Sequence, residues 1–128
     1  MIFTTTIPGP PVPKGRPRVV RNRKTGKMHG ITPPRTRRYE SSAALIIRAA
    51  ASVQRWKCTS EPVELEVRVY RHQLRGDLDN FVKAVEDSAN GILWDDDSQV
   101  VKIDAAMFLD RKRPRTEVTV RLAAGGEV

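Results

Sequence analysis

The sequence predicts a mixed α+β domain with elements in the order β-α-β-α-β-β, two helices lying on a mixed four-stranded sheet. Three observations lead there. Residues 62–70 alternate without a break, Val63, Leu65, Val67 and Val69 against Glu64, Glu66, Arg68 and Tyr70, which is the period of a strand with one buried face. Two other segments repeat their apolar residues every three to four positions, the spacing of a helix stripe. At 128 residues the chain suits one domain around one core, so 1–128 is read as a single domain with a basic arm at 14–38.

Taken in order, Ile2 to Ile7 is β-branched and aromatic, and Pro8-Gly9-Pro10-Pro11 ends it, so a first strand is expected. Residues 13–18 form a proline-stiffened basic loop. Residues 19–33 form either a short hairpin around Lys24-Thr25-Gly26-Lys27 or a segment that orders only on nucleic acid. A helix opening at Pro34 or Thr36 runs to about Val53 or Gln54, with Tyr39, Ala43, Ile46 or Ile47, Ala50 and Val53 as its stripe; its alanines favour helix and close packing. Trp56, Lys57 and Cys58 lead into a loop, and Cys58 is expected to be a small buried or half-buried side chain. After the 62–70 strand, Asp79 or Asn80 caps a second helix over about 79–89, with Leu78, Val82, Val85 and Ala89 buried. Asn90-Gly91 stops it. Ile92-Leu93-Trp94 is an apolar plug with Trp94 as a core anchor, and Asp95-Asp96-Asp97 is a turn. Strands follow at 99–108 and, after the basic turn 111–115, at 116–122. Gly125-Gly126 begins a frayed tail.

Apolar residues make up 39% and charged residues 30%, which suits a water-soluble fold. No stretch approaches the ~18–20 apolar residues a membrane crossing needs, and residues 1–7 do not resemble a signal peptide. One cysteine and two distant histidines, His29 and His72, exclude a disulfide framework and a zinc site. A reducing cytoplasm is the expected compartment, and no small-molecule cofactor is expected. The net charge is +8, which calls for a polyanionic partner. It is also segregated. No acid occurs before Glu40, whereas Lys14, Arg16, Arg18, Arg21, Arg35 and Arg37 crowd the arm. These six are the candidate DNA-phosphate contacts.

Against that background Asp77, Asp79, Asp95, Asp96, Asp97 and Lys83 fall within residues 77–97. Clustered carboxylates repel unless water or a cation screens them. Asp77 and Asp79 face one way in extended backbone, and Lys83 lies one helical turn beyond Asp79. An all-oxygen set without His or Cys suits Mg²⁺, with Mn²⁺ as a substitute, and a basic surround points to phosphodiester hydrolysis. Lys83 would stabilise charge in the transition state or orient water. Either aspartate group by itself would equally suit a helix cap or a solvated turn. A DNA-binding protein without catalysis, and a nuclease for flaps, forks or RNA, are the rival readings.

The motif Asp77-Leu78-Asp79-Asn80 with Lys83, then Trp94 and Asp96-Asp97-Ser98-Gln99-Val100-Val101, together with the opening Pro10-Pro11-Val12-Pro13-Lys14-Gly15-Arg16-Pro17-Arg18, resembles the RusA family of Holliday junction resolvases. The resemblance spans most of the chain. It implies a RusA-like fold and a Mg²⁺-dependent homodimer that nicks four-way DNA junctions symmetrically in recombination and repair, as in phage and prophage enzymes. It maps catalytic and metal-holding roles onto Asp77, Asp79 and Asp97 and the essential lysine onto Lys83. Asp96 matches a neighbouring acid and is a further candidate metal ligand. Asp95 is an extra acid where other members carry an apolar residue.

Overall fold

The alternation of residues 63–71 produces the strand it requires. In the computed structural model, which describes residues 1–16 and 18–123, Val63, Leu65, Val67 and Val69 are buried while their neighbours stay half-exposed. The elements are β1 (Ile2–Pro8), β2 (Arg18–Arg21), β3 (Met28–Ile31), α1 (Pro34–Gln54), β4 (Val63–Arg71), α2 (Leu78–Ala89), a 3₁₀ turn (Asp97–Gln99), β5 (Val100–Leu109) and β6 (Arg115–Leu122). The main sheet has the order β1-β6-β4-β5, and β4 pairs β5 in parallel while its other pairings are antiparallel. This is the expected mixed four-stranded sheet with two helices. The parallel pair follows from the crossover through α2, which returns the chain to the start of β4.

The arm takes the hairpin alternative. β2 and β3 pair antiparallel as a separate two-stranded ribbon, and Asn22 closes the turn by accepting from the Lys24 and Thr25 amides. The foreseen tail at Gly125-Gly126 lies outside the described residues.

One hydrophobic cluster joins Phe3, Ile7, Ala43, Ile47, Leu65, Val67, Phe81, Val85, Trp94, Val118 and Val120. The stripe of α1 is Thr36, Ala43, Ile47 and Ala51, which corrects the expectation for Val53. That side chain is 83% exposed. The reason lies at the helix end: Arg55 adopts the left-handed conformation (φ 57°), so Trp56 turns back, donates its amide to Ala51 O and sets its ring edge-on to Phe3 at 6.1 Å. Trp56, expected in a loop, is thereby buried. Cys58 is exposed, contrary to expectation, because it follows that turn out of the core.

The far face of the sheet carries paired charges. Arg68 bonds Glu66 at 2.8 Å and Asp104 at 3.0 Å, and Arg115 bonds Asp110 and Glu117 while stacking over Tyr70 at 3.8 Å. The helices therefore lie on the other face, where the aspartate motif also emerges.

Candidate active site

The first aspartate pair is set by the end of β4. Gly76 turns the chain with φ +100°, where an added Cβ would meet the Phe81 ring at 3.1 Å. Arg71, the last residue of β4, lies over that ring at 4.7 Å and donates to the Arg75 carbonyl, so the loop 72–76 is folded against α2. Asp77 caps the helix by accepting from the Asp79 amide at 3.0 Å. This corrects the assignment of the cap to Asp79 or Asn80. Extended backbone at Asp77 brings its carboxylate over the amides one turn on, a fit an already helical residue cannot make. Asp79 is thereby left exposed in the first turn.

Three successive aspartates return beside α2, and the fold gives each a different task. Asp95 accepts a bond from the Cys58 thiol at 3.4 Å. Asp96 caps the 3₁₀ turn, accepting from the Ser98 amide while its own amide donates to Gln99. Hydrogen bonding from the Ser98 side chain, and then from the Ser98 amide, holds its pKa below the usual carboxylate range, so this candidate metal ligand also serves as the cap of the turn. Asp97 reaches back to Lys83, 2.7 Å from oxygen to nitrogen. The turn is fixed from beneath. Trp94 is fully buried and donates to Asn90, Trp56 donates to the Leu93 carbonyl, and the Gln99 amide bridges the Thr59 and Glu61 carbonyls.

Lys83 is the centre of a chain of ion pairs. It also meets Asp87 at 3.3 Å; Asp87 meets Lys14 at 2.9 Å, and Lys14 meets Glu40 at 2.9 Å. The hydrogen bond to Asp97 raises the Lys83 pKa well above its ordinary value, and partial burial opposes that less strongly. The pairing thus favours the charged form of Lys83. Glu86, on the next turn, is half-buried, and burial followed by the nearby Asp97 charge pushes its carboxyl up to about 7. Lys14 departs from the expected DNA contact: its ammonium is engaged by two carboxylates and its amide donates to the Asn80 carbonyl at 2.8 Å. It ties the arm to both helices.

Arg16, Arg21, Arg35 and Arg37 are exposed; the Arg18 side chain lies outside the described residues. Arg35 sits close enough to Arg71 to lower its pKa further, after burial, which places one cation of the arm beside the Asp77 loop. Arg37 and Arg38 line a shallow concavity with Ser41 and Ser42.

For a metal, the donor chemistry fits a hard cation, because Asp77, Asp79 and Asp97 offer accessible oxygens. Among the described residues no three His, Cys, Asp or Glu side chains converge as a cage. A Mg²⁺ ion that keeps several waters needs only one or two carboxylates together with substrate phosphate, so this arrangement is compatible with it.

Residues 8–121 match the family model described as Endodeoxyribonuclease RusA. The chain belongs to the RusA endodeoxyribonuclease family. The RusA match contains every site residue from Lys14 to Asp97. The chain is also 31% identical to uncharacterized protein YqaN of Bacillus subtilis (strain 168) over 139 aligned positions, covering 91% of this chain and 93% of that relative. As a RusA endodeoxyribonuclease the protein is a hydrolase of DNA recombination. Asp87, Glu86, Glu40 and Arg71 were absent from the candidates read from sequence. The Lys83–Asp87 spacing of four was a legible signal; the pairing of Glu40 with Lys14 across the fold was not.

Proposed function

We propose that the protein resolves four-way DNA junctions as a homodimer, nicking one strand per subunit to leave 5′-phosphate and 3′-hydroxyl ends. Asp77, Asp79 and Asp97 would hold Mg²⁺, which when bound supplies an activated water and neutralises phosphate charge. The observation that carries the reading is the Lys83–Asp97 pair at 2.7 Å, with exposed Asp79 one helical turn before Lys83 on α2. It supports hydrolysis because Lys83 stays charged at working pH and can meet a phosphate oxygen that gains charge. Glu86, poised near neutrality, can take up or give a proton close to Asp97. Arg16, Arg18, Arg21, Arg35 and Arg37 would position the junction by its phosphates, a role that specifies no sequence. Labelled four-way junction, fork and linear duplex, each incubated with and without Mg²⁺, test the reading. Paired symmetric nicks in the junction only, and only with Mg²⁺, are expected. Binding without nicking, or equal cutting of the fork, overturns it.

A further inference from the structure

We propose that two copies of this chain join through β5, edge to edge and antiparallel about a two-fold axis at Ile103, so that their sheets run on as one. This deepens the reading above by placing its dimer contact. β5 is a ten-residue strand at the border of the main sheet. Edges of that length usually carry bulges, prolines or inward charges that block further pairing. Among the described residues, the register shift in the β4–β5 pairing leaves Val101 without a partner near the start of β5; from Lys102 to Leu109 the strand pairs without interruption and holds no proline.

The two faces of the strand point to what covers it. On the helix side lie Val101, Ile103, Ala105, Met107 and Leu109, because Ile103, Ala105 and Met107 register with the buried Leu65, Val67 and Val69. Ala105 and Met107 pack on the core, whereas Val101 is 63% and Ile103 50% exposed. An uncharged apolar stripe is thus left open at an unpaired edge. On the other side Lys102 and Asp104 carry opposite signs. Asp104 keeps 58% of its side chain exposed despite its bond to Arg68, and Lys102 has no ion pair among the described residues.

Antiparallel pairing of identical edges must place residues of the same face opposite one another, so the axis passes through a residue. An axis at Lys102 sets lysine against lysine, and one at Asp104 sets aspartate against aspartate. Only at Ile103 does Lys102 of each copy meet Asp104 of the other, twice by symmetry, while Val101 faces Ala105 and Ile103 faces its own copy. Like charges directly opposite disfavour a register and unlike charges favour it. A second copy of this chain is therefore the occupant that the edge selects. The axis stands perpendicular to the sheet, so both pairs of helices, and both aspartate motifs, lie on the same side of the combined sheet.

The test uses the full chain with Cys58→Ser. Ile103→Cys in that background should oxidise to a disulfide-linked dimer, since opposed antiparallel Cα atoms lie about 4.5–5.5 Å apart, within disulfide range. Val53→Cys, exposed on α1, serves as the control and should stay monomeric on the same gel. Lys102→Glu and Asp104→Lys should each weaken dimerisation at least tenfold by light scattering, and an equal mixture of the two should restore it, because the mixed pair sets unlike charges opposite again. Failure of the Ile103→Cys chain to cross-link, or wild-type dimerisation by each charge variant alone, overturns the interface. A protein that still cuts junctions in that case retains the nuclease reading and loses only this contact. Cross-linking without junction cutting does the reverse.

Discussion

Asp79 and Lys83 stand one helical turn apart, yet their substitution should act differently. Asp79 makes no side-chain ion pair among the described residues and is open to solvent, so Asp79→Asn leaves packing alone. Junction cleavage should fall about 10²–10³-fold, the size of losing one electrostatic contributor, while band shifts show junction binding unchanged or tighter. Cutting at near wild-type rate would remove Asp79 from the site. Glu86 offers a separate readout in stability. Its folded pKa of about 7 lies above the ordinary 4.5, so the folded chain holds a proton that the unfolded chain releases between those values. Stability is then lost as pH rises from about 4.5 through 7. Because the group is only half-buried, solvent screening reduces the effect to about 1 kcal/mol. Glu86→Gln should therefore match wild type in urea unfolding at pH 4.5 and exceed it at pH 8; an equal difference at both pH values would show that the carboxyl is not held protonated.

Elements whose residues answer to one local rule were the ones legible in the sequence. The alternation of β4 gave its face without ambiguity, and α2 was placed to within a residue because its apolar period and Gly91 agree. The α1 stripe shifted because alanines lie on every side of that helix, so burial was decided by which side met Phe3 and Val118 across the chain and not by period. The aspartate triplet was legible as a cluster but not as three tasks, since the Cys58 thiol, the Ser98 amide and Lys83 arrive from different elements. The β2–β3 ribbon is ambiguous in the sequence for a physical reason: among the described residues it contributes nothing to the hydrophobic cluster, so no buried pattern marks it. That isolation makes it separable. Replacing residues 18–31 with a short Gly-Ser linker should leave the melting temperature within a few degrees. It removes Arg18, Arg21, Arg23, Lys24 and Lys27, and the slope of log affinity for junction DNA against log salt should flatten by up to about 4.5, at about 0.9 per phosphate contact. An unchanged slope would show that the ribbon does not touch DNA.

At the scale of the whole molecule, the fold holds two opposed charge distributions at once. The sheet face away from the helices pairs its charges internally through Arg68 and Arg115, so the excess of +8 is carried by the arm, loops and helix side. Into that cationic side the chain sets Asp77, Asp79, Asp97 and Glu86, and among the described residues Lys83 and Lys14 pair with Asp87 of α2, Lys83 also with Asp97. Asp77 and Asp79 have no basic partner among the described ion pairs. A divalent ion that binds there in the folded chain, and not in the unfolded one, must raise global stability by mass action. At about 100 times its dissociation constant the gain is about 2.7 kcal/mol, several degrees in melting temperature for a domain of this size. Thermal unfolding in Mg²⁺ should therefore shift upward with concentration in wild type, and by much less in Asp79→Asn. Ca²⁺ or Mn²⁺ should produce a shift of the same sign, whereas NaCl at matched ionic strength should not. A melting temperature indifferent to millimolar Mg²⁺ in the absence of DNA would mean that the carboxylates meet the ion only once a phosphate is present, and the metal would then belong to the enzyme–DNA complex and not to the free protein.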